Sequence, residues 1–228
     1  MTQTAPVAVP TSAATPTAPS PREAVVHRLT LRGVPWSLYD QLLAVVGDGL
    51  PRMTYDRGML EMEMPSQRHE AMKWMAGRFV EAYAEESGID YEAAGSTTWR
   101  RQAIEGGLEA DESYYFQNYA RVRGREVDLA TDPPPDLAVE IDLSPPDVEK
   151  ASIYARLGVP EIWRWRDGRL AVLVRQPDGG YGERQQSLAL PDFPLAELAA
   201  ALADYPQTDA ARAVAAFRRR VREQLPRT

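Results

Sequence analysis

The chain has 228 residues, 44% hydrophobic and 26% charged, which is enough for one domain with a real core and short for two. No apolar run approaches the roughly 20 residues that a membrane helix needs, so we expect no membrane partner. The absence of cysteine excludes disulfides and thiolate chemistry, and it fits a cytoplasmic protein. The formal charge of −7 argues against a uniformly basic nucleic-acid-binding protein but permits a local cationic site.

The composition changes at both ends of the chain. Residues 1–21 are rich in proline, alanine, threonine and serine, which is typical of a disordered tail. This segment lacks the basic start and apolar core of a signal peptide, so we expect no export. We predict one domain over residues 22–205 and a basic helix over residues 206–228, with an apolar stripe along one side.

The first half of the domain alternates strand and helix patterns. A strand is predicted over residues 26–31 and a helix from Ser37, followed by a hairpin whose loop is residues 56–58. Ser66 is predicted to cap a long helix that ends near Glu86. The buried stripe of the first helix is predicted to be Leu38, Leu42, Leu43 and Val46. That of the long helix is predicted to be Met72, Met75, Ala76, Phe79, Val80 and Tyr83.

Further strands are predicted on both sides of the middle of the chain. Two are expected over residues 89–93 and 96–101, and residues 106–119 are predicted to form a turn and then a strand with Asp111 at its entrance. In the second half, strands are predicted over residues 161–166, 169–176 and 181–188. Asp167 and Gly168 are a strong signal for a two-residue hairpin between the first two of these.

The central stretch, PDLAVEIDLSPPDVEKASIYARLGVPEIW, predicts a strand followed by a helix. Hydrophobic residues alternate with acids, so Glu140 and Asp142 are expected on one face of the strand. Ser144 is predicted as helix N-cap with Asp147 as its capping-box partner, and Gly158 as the end of the helix. The helix would carry Lys150 back past the carboxylates.

These residue types indicate a particular chemistry. Carboxylates at the ends of neighbouring strands, such as Asp111 and Glu140, can hold Mg²⁺ or Mn²⁺ through oxygen, and an ammonium nearby can stabilise charge on a phosphodiester. The competing interpretation is that these acids are simply solvated. Only two histidines are present, and the chain shows no G-x-S-x-G elbow, Gly-rich phosphate loop or zinc signature.

From Ser66 onward the element order is αβββαβ, the core of the PD-(D/E)xK nuclease superfamily. Four segments resemble successive motifs of the bacterial Uma-two family of restriction endonucleases: TYDRGMLEMEMPSQRHE, GLEADESYYFQN, VDLATDPPPDLAVEIDLS and IYARLGVPEIWRW. The resemblance spans about residues 26–193. It implies an α/β, restriction-endonuclease-like fold with a mixed sheet, N-terminal helix and hairpin additions, and a C-terminal helix. It also implies a Mg²⁺-dependent DNA endonuclease.

The resemblance carries over residue by residue. Asp111 matches the aspartate of the second core strand, Glu140 the acid of the third, and Lys150 a lysine on the following helix. The E-x-K lysine would stand at position 142, where this chain has Asp142. Either Lys150 reaches the site from its helix, which we favour, or the site has three acids and no lysine. Asp142 is then an orienting partner, a third ligand or a solvated acid.

His69 and Glu70 occupy the first turn of the long helix, where the family often has the same pair. Superfamily members often place a glutamate on this helix near the metal, so Glu70 is a candidate supporting residue. The alternatives are an acid stabilised by the helix dipole and a histidine packed at the core edge. Asp136 lies at the far end of its strand, roughly 13 Å from Glu140 at ~3.3 Å per residue, so we interpret it as structural.

Arginines elsewhere are either phosphate contacts or a solvated face. They are Arg100, Arg101, Arg121, Arg123, Arg125, Arg164, Arg166 and Arg169. Trp163 and Trp165 alternate with two of these and are predicted to be core. Many nucleases of the superfamily pair two sites, so we predict a homodimer through the C-terminal helix, unless its stripe folds back on its own domain. The alternative function is a catalytically inactive nuclease fold that binds DNA or protein.

Overall fold

The computed structural model describes residues 27–47 and 49–224. The tail predicted over residues 1–21 lies outside this part of the chain. The described strands are β1 (His27–Arg32), β2 (Arg52–Asp56), β3 (Met59–Met64), β4 (Glu92–Ala93), β5 (Thr98–Arg101), β6 (Gly106–Glu109), β7 (Glu112–Tyr115), β8 (Leu137–Asp142), β9 (Glu161–Arg166), β10 (Arg169–Arg175) and β11 (Tyr181–Arg184). The described helices are α1 (Trp36–Val46), α2 (Gln67–Glu86), α3 (Tyr119–Val122), α4 (Lys150–Leu157), α5 (Leu195–Ala203) and α6 (Ala210–Gln224), with a 3₁₀ turn at Gln102–Ile104.

The strands form two sheets. The first has the order β1-β3-β2-β6-β5 and is antiparallel. The second has the order β11-β10-β9-β8-β7-β4, and β8 and β9 pair in parallel while its other described pairs are antiparallel. A parallel pair needs a crossover connection, and α4 supplies it. The predicted mixed α/β fold is confirmed. Within the second sheet and its helices the order is α2, β4, β7, β8, α4 and β9, and strands β5 and β6 of the first sheet are inserted between β4 and β7.

Helices and the first sheet cover the two faces of the second sheet. The core on one face joins α2, α5 and α6 to the apolar side of β8 and β9, including Trp163 and Trp165, which are buried as predicted. The core on the other face joins α4 to Trp99 and Leu108 of the first sheet. The acidic side of β8 therefore faces α4 and the first sheet. This is the position in which carboxylates can be held away from bulk water.

The apolar stripe of α6 packs on its own chain. Val214, Phe217 and Val221 are buried, and the ring of Phe217 lies 4.6 Å, centroid to centroid, from that of Phe79 in α2. Of the two alternatives for this stripe, the structure has the one in which it folds back. The stripe is therefore covered within the chain, and a homodimer would have to use another surface.

Residues 106–119 correct the sequence interpretation, because Gly106–Glu109 and Glu112–Tyr115 are two strands in different sheets. The paired glycines are a strand and not a turn. A side chain at Gly107 would collide with the ring of Tyr39, so the glycine permits the close approach of α1 to this strand. Asp111 follows the strand, at the point where the chain passes from one sheet to the other.

The helix after β8 starts later than the sequence predicted. It begins at Lys150 with Glu149 as N-cap, whose side chain accepts from the Ala151 N–H at 3.3 Å. Pro146 disfavours helical geometry at the residue before it. The N–H groups of Asp147 and Val148 instead donate to Glu61 at 2.5 and 3.1 Å. These contacts make residues 144–148 a loop tied to the first sheet.

Smaller differences concern α1, α5 and β11. In α1, Leu38 is 41% exposed and Tyr39 is fully buried, so the predicted stripe was wrong by one position at its start. Helix α5 was not predicted, and β11 ends at Arg184 instead of reaching residue 188. The long helix α2, its Ser66 cap and its buried stripe are as predicted. Within the described residues, no helix combines the length and the apolar character that crossing a membrane requires.

Candidate active site

The two predicted metal-binding acids lie side by side. In the antiparallel pair β7–β8, Glu112 is opposite Val139, so the same register places Asp111 beside Glu140. Both side chains are almost completely buried, with relative exposures of 1% for Asp111 and 2% for Glu140. The strand pairing thus brings two carboxylates together beneath the surface, where an unpaired charge would be costly.

Asp111 is held by three groups from three parts of the chain. Its Oδ2 accepts the Ile141 N–H at 2.7 Å and lies 3.1 Å from His69 Nε2, and its Oδ1 accepts from the Arg52 guanidinium. Burial alone would raise the pKa of Asp111, but His69, Lys150 and Arg52 outweigh it and hold that pKa well below the usual range. Asp111 is therefore a carboxylate at neutral pH.

Glu140 is held from the α4 side. Its Oε2 accepts from Lys150 Nζ at 2.7 Å, and its Oε1 accepts from the Tyr154 hydroxyl. Burial raises the pKa of Glu140, Lys150 opposes this, and the negative charges of Asp111 and Asp142 add to the increase. The Lys150 ammonium offsets part of this crowding of negative charge.

Lys150 reaches the acids from the first residue of α4. Besides Glu140 it donates to the Glu109 carbonyl at 3.3 Å. Burial by itself would lower the pKa of Lys150, but Glu140, Asp111 and Asp142 raise it, so the side chain is a cation. The favoured interpretation, in which Lys150 acts in place of the lysine expected at position 142, requires this contact with Glu140. Asp147, predicted as a capping-box partner, instead accepts from the Thr30 hydroxyl at 2.5 Å.

Glu70 and His69 reach the site from the first turn of α2. Ser66 caps the helix by accepting the His69 N–H at 3.1 Å, which orders this turn, and the His69 ring contacts Asp111 at 3.1 Å. Glu70 Oε1 is 2.7 Å from Arg52 Nη2 and 3.3 Å from His69 Nδ1. Glu70 therefore connects to Asp111 through Arg52 and His69, while its own side chain is 43% exposed.

Asp142 lies on the same face of β8 and pairs with a different cation. Its Oδ2 is 2.9 Å from Arg166 Nε and 2.8 Å from Nη2. Burial raises the pKa of Asp142 despite the opposing effects of Lys150 and Arg166. Asp136, at the other end of the strand, accepts the N–H groups of Phe116 and Asn118 at 2.8 and 3.0 Å, as a structural residue would.

Sequence reasoning missed Arg52 and Tyr154. Tyr154 follows Lys150 by four positions, a helical spacing that puts both side chains on one face and could have identified it. Arg52 comes from β2 in the other sheet, and nothing in its local sequence indicates its partners. A cavity of about 590 Å³ lies beside Arg52 and is also lined by Glu70, Lys73 and Glu109.

Most of the arginines proposed as phosphate contacts have partners within the chain. The pairs are Arg100 with Asp40, Arg101 with the Leu129 carbonyl, Arg125 with Asp132, Arg164 and Arg166 with Glu149, and Arg169 with Glu183. Such pairs favour the interpretation of a solvated, internally neutralised surface for these side chains.

Asp111 and Glu140 offer carboxylate oxygens, which is the type of ligand that a hard divalent cation prefers. Among the described residues, no group of three or more His, Cys, Asp or Glu is arranged to hold a metal ion. Mg²⁺ usually takes only one or two protein carboxylates and completes its shell with water and substrate. A carboxylate has about four lone-pair sites. Asp111 uses three and Glu140 two, so both keep acceptor capacity.

Comparison with known proteins identifies the family. The family model Uma2, described as "Putative restriction endonuclease", matches residues 36–206, which is well over half of the chain. The chain belongs to the Uma2 family. The match confirms the resemblance and includes Asp111, Glu140 and Lys150. No curated protein matches this Uma2 chain.

Proposed function

We propose that this Uma2 protein is a Mg²⁺- or Mn²⁺-dependent endonuclease that hydrolyses phosphodiester bonds of DNA. The observation that carries the proposal is the pairing of Asp111 and Glu140 on neighbouring strands with the Lys150 ammonium 2.7 Å from Glu140. The family description supports a nuclease-like function, and the donor set suits a hard cation.

In this proposal Asp111 and Glu140 hold the cation. Bound there, it would neutralise charge on the phosphodiester and make hydroxide available near neutral pH. The chain's own contribution is to fix the two carboxylates. The Ile141 N–H and His69 orient Asp111, and the Tyr154 hydroxyl orients Glu140.

Lys150 has the catalytic role in this scheme. Its ammonium is a compact point charge that can orient the attacking water or stabilise negative charge on the phosphate in the transition state. Asp142 supports it by adding negative charge that keeps Lys150 protonated. Glu70 supports Asp111 indirectly, through His69.

We further propose that the enzyme works in the cytoplasm as a homodimer. A chain without cysteine suits a reducing compartment. Leu29 and Leu31 on edge strand β1 are exposed, together with Met64 beside them, and they offer a surface for a second copy. Light scattering should give a mass twice that of one chain. Charged substitutions at Leu29 and Leu31 should reduce the measured mass to that of a single chain.

The decisive experiment is a calorimetric titration with Mg²⁺ and Mn²⁺, combined with cleavage assays on duplex, single-stranded and branched DNA. We expect saturable binding and cleavage that Asp111→Ala and Glu140→Ala abolish. A fold that binds DNA equally well with and without metal, and never cleaves it, would instead be an inactive binding module. Absence of a metal signal that depends on these two acids would refute the enzyme proposal.

A further inference from the structure

Arg52 occupies the approach to Asp111. It belongs to β2 in the first sheet, yet its guanidinium donates to Asp111 Oδ1 of the other sheet and lies 2.7 Å from Glu70 Oε1. A planar guanidinium that bridges two carboxylates satisfies both with one cation. Arg52 contacts Oδ1 of Asp111, whereas Oδ2 contacts both His69 and the Ile141 N–H.

The cavity beside Arg52 is polar and reaches the surface. Arg52, Glu70 and Lys73 line it, whereas Asp111 behind them is 1% exposed. Lys73 Nζ is 3.3 Å from Glu70 Oε2 and 3.3 Å from the Ser96 hydroxyl. Two cations and a hydroxyl therefore face a space of about 590 Å³, together with the carboxylates of Glu70 and Glu109. A phosphate group could take donors from Arg52, Lys73 and Ser96 there once Arg52 is released from the acids.

We propose that Arg52 is a substrate-binding residue that exchanges partners: it pairs with Asp111 and Glu70 when no divalent cation is bound, and it moves to a phosphate of DNA in this cavity when a divalent cation is bound. This inference rests on the proposed function. The guanidinium fork that now bridges two carboxylates matches a phosphate equally well. Lys73 supplies the second phosphate contact.

Competition between Arg52 and the divalent cation follows from this arrangement. Both are positive charges, and both need Asp111. Placing a cation beside a guanidinium is unfavourable, so the bound metal displaces Arg52 toward the cavity. Removing Arg52 should therefore tighten metal binding and weaken DNA binding, a combination that a purely structural ion pair does not produce.

The test uses the full chain and three variants: Arg52→Gln, Arg52→Lys and the control Arg78→Gln, which breaks a surface pair with Glu81 at the other end of α2. Calorimetry with Mn²⁺ alone should show about tenfold tighter binding for Arg52→Gln, because a competing charge is gone. Arg52→Lys keeps the charge without the fork and should be intermediate. Arg78→Gln should match the unmodified chain.

DNA affinity is measured by fluorescence anisotropy on duplex DNA in Ca²⁺, across salt concentrations. Arg52→Gln should weaken binding and reduce the slope of log affinity against log salt by about 1, as loss of one phosphate contact predicts. Unchanged or weaker Mn²⁺ binding by both Arg52 variants, or an unchanged salt slope, overturns the Arg52 proposal. If neither the unmodified chain nor Arg52→Gln binds Mn²⁺ through Asp111 and Glu140, the proposed function fails as well.

Discussion

At the residue scale, Asp111 and Glu140 are neighbours with opposite electrostatic surroundings. Burial would raise the pKa of Asp111, but His69, Lys150 and Arg52 lower it, whereas burial and nearby acids raise that of Glu140. Such divergence between adjacent acids is typical of functional sites. The sequence predicted both acids from their places on strands. It could not predict Arg52, because a contact across 59 residues depends on how the two sheets pack.

Lys150→Ala should lower single-turnover cleavage by about 10² to 10³, as for other electrostatic stabilisers of a transition state. Metal affinity should not fall, because the variant removes a positive charge beside Glu140 and leaves both carboxylates. Cleavage is measured on a labelled duplex and metal affinity by calorimetry. Cleavage that survives unchanged would remove Lys150 from the mechanism.

Asp142→Ala is the paired variant. Its carboxylate contacts Arg166, so the loss should act through misorientation of the cluster and reduce cleavage by about tenfold or more. Metal affinity should change less than in Asp111→Ala, as measured in the same titration. A loss of metal affinity equal to that of Asp111→Ala would make Asp142 a third ligand.

At the element scale, the regular elements were predictable and their junctions were not. The hairpin at Arg57 and Gly58 and the cap at Ser66 depend on local chemistry, and both are as predicted. The break at Asp111 and the delayed start of α4 depend on partners distant in sequence. Glu61 is the clearest case, because it binds N–H groups 86 and 87 residues away.

Glu61→Ala should destabilise the protein through the loop before α4. It leaves the N–H groups of Asp147 and Val148 without their acceptor, at about 1–3 kcal/mol for the buried Val148 group and less for the partly buried Asp147 group. Urea unfolding measures the change. The control is Glu63→Ala, which removes an ion pair with Arg28 and should cost about 1 kcal/mol or less. Equal effects of the two variants would show that the loop does not depend on Glu61.

At the scale of the whole molecule, α6 closes the core formed by α2 and the second sheet. Its apolar stripe was visible in the sequence, but the sequence left open whether a second copy or the same chain covers it. The ion pairs around the stripe are equally specific to the fold. Arg218 and Arg222 both pair with Glu86 at the end of α2, at 3.0 and 2.5 Å. The sequence predicted basic residues beside the apolar stripe, whereas in the structure Arg218 and Arg222 are neutralised by Glu86.

Glu86 gives this contact a pH dependence. The hydrogen bond from Arg222 is the largest cause, and together with that from Arg218 it outweighs burial and lowers the pKa of Glu86 to about 2. A carboxyl with a lowered pKa stabilises the folded state at pH values above its ordinary pKa, and this contribution is lost as the pH falls toward 2.

Glu86→Gln should therefore lower Tm by about 2 °C at pH 7, as expected for an ion pair near the surface. The difference from the unmodified protein should shrink between about pH 4.5 and pH 2. Calorimetric melts at pH 7, 4 and 3 measure it, and a difference that stays constant across these values would show that the Glu86 charge does not hold α6 in place.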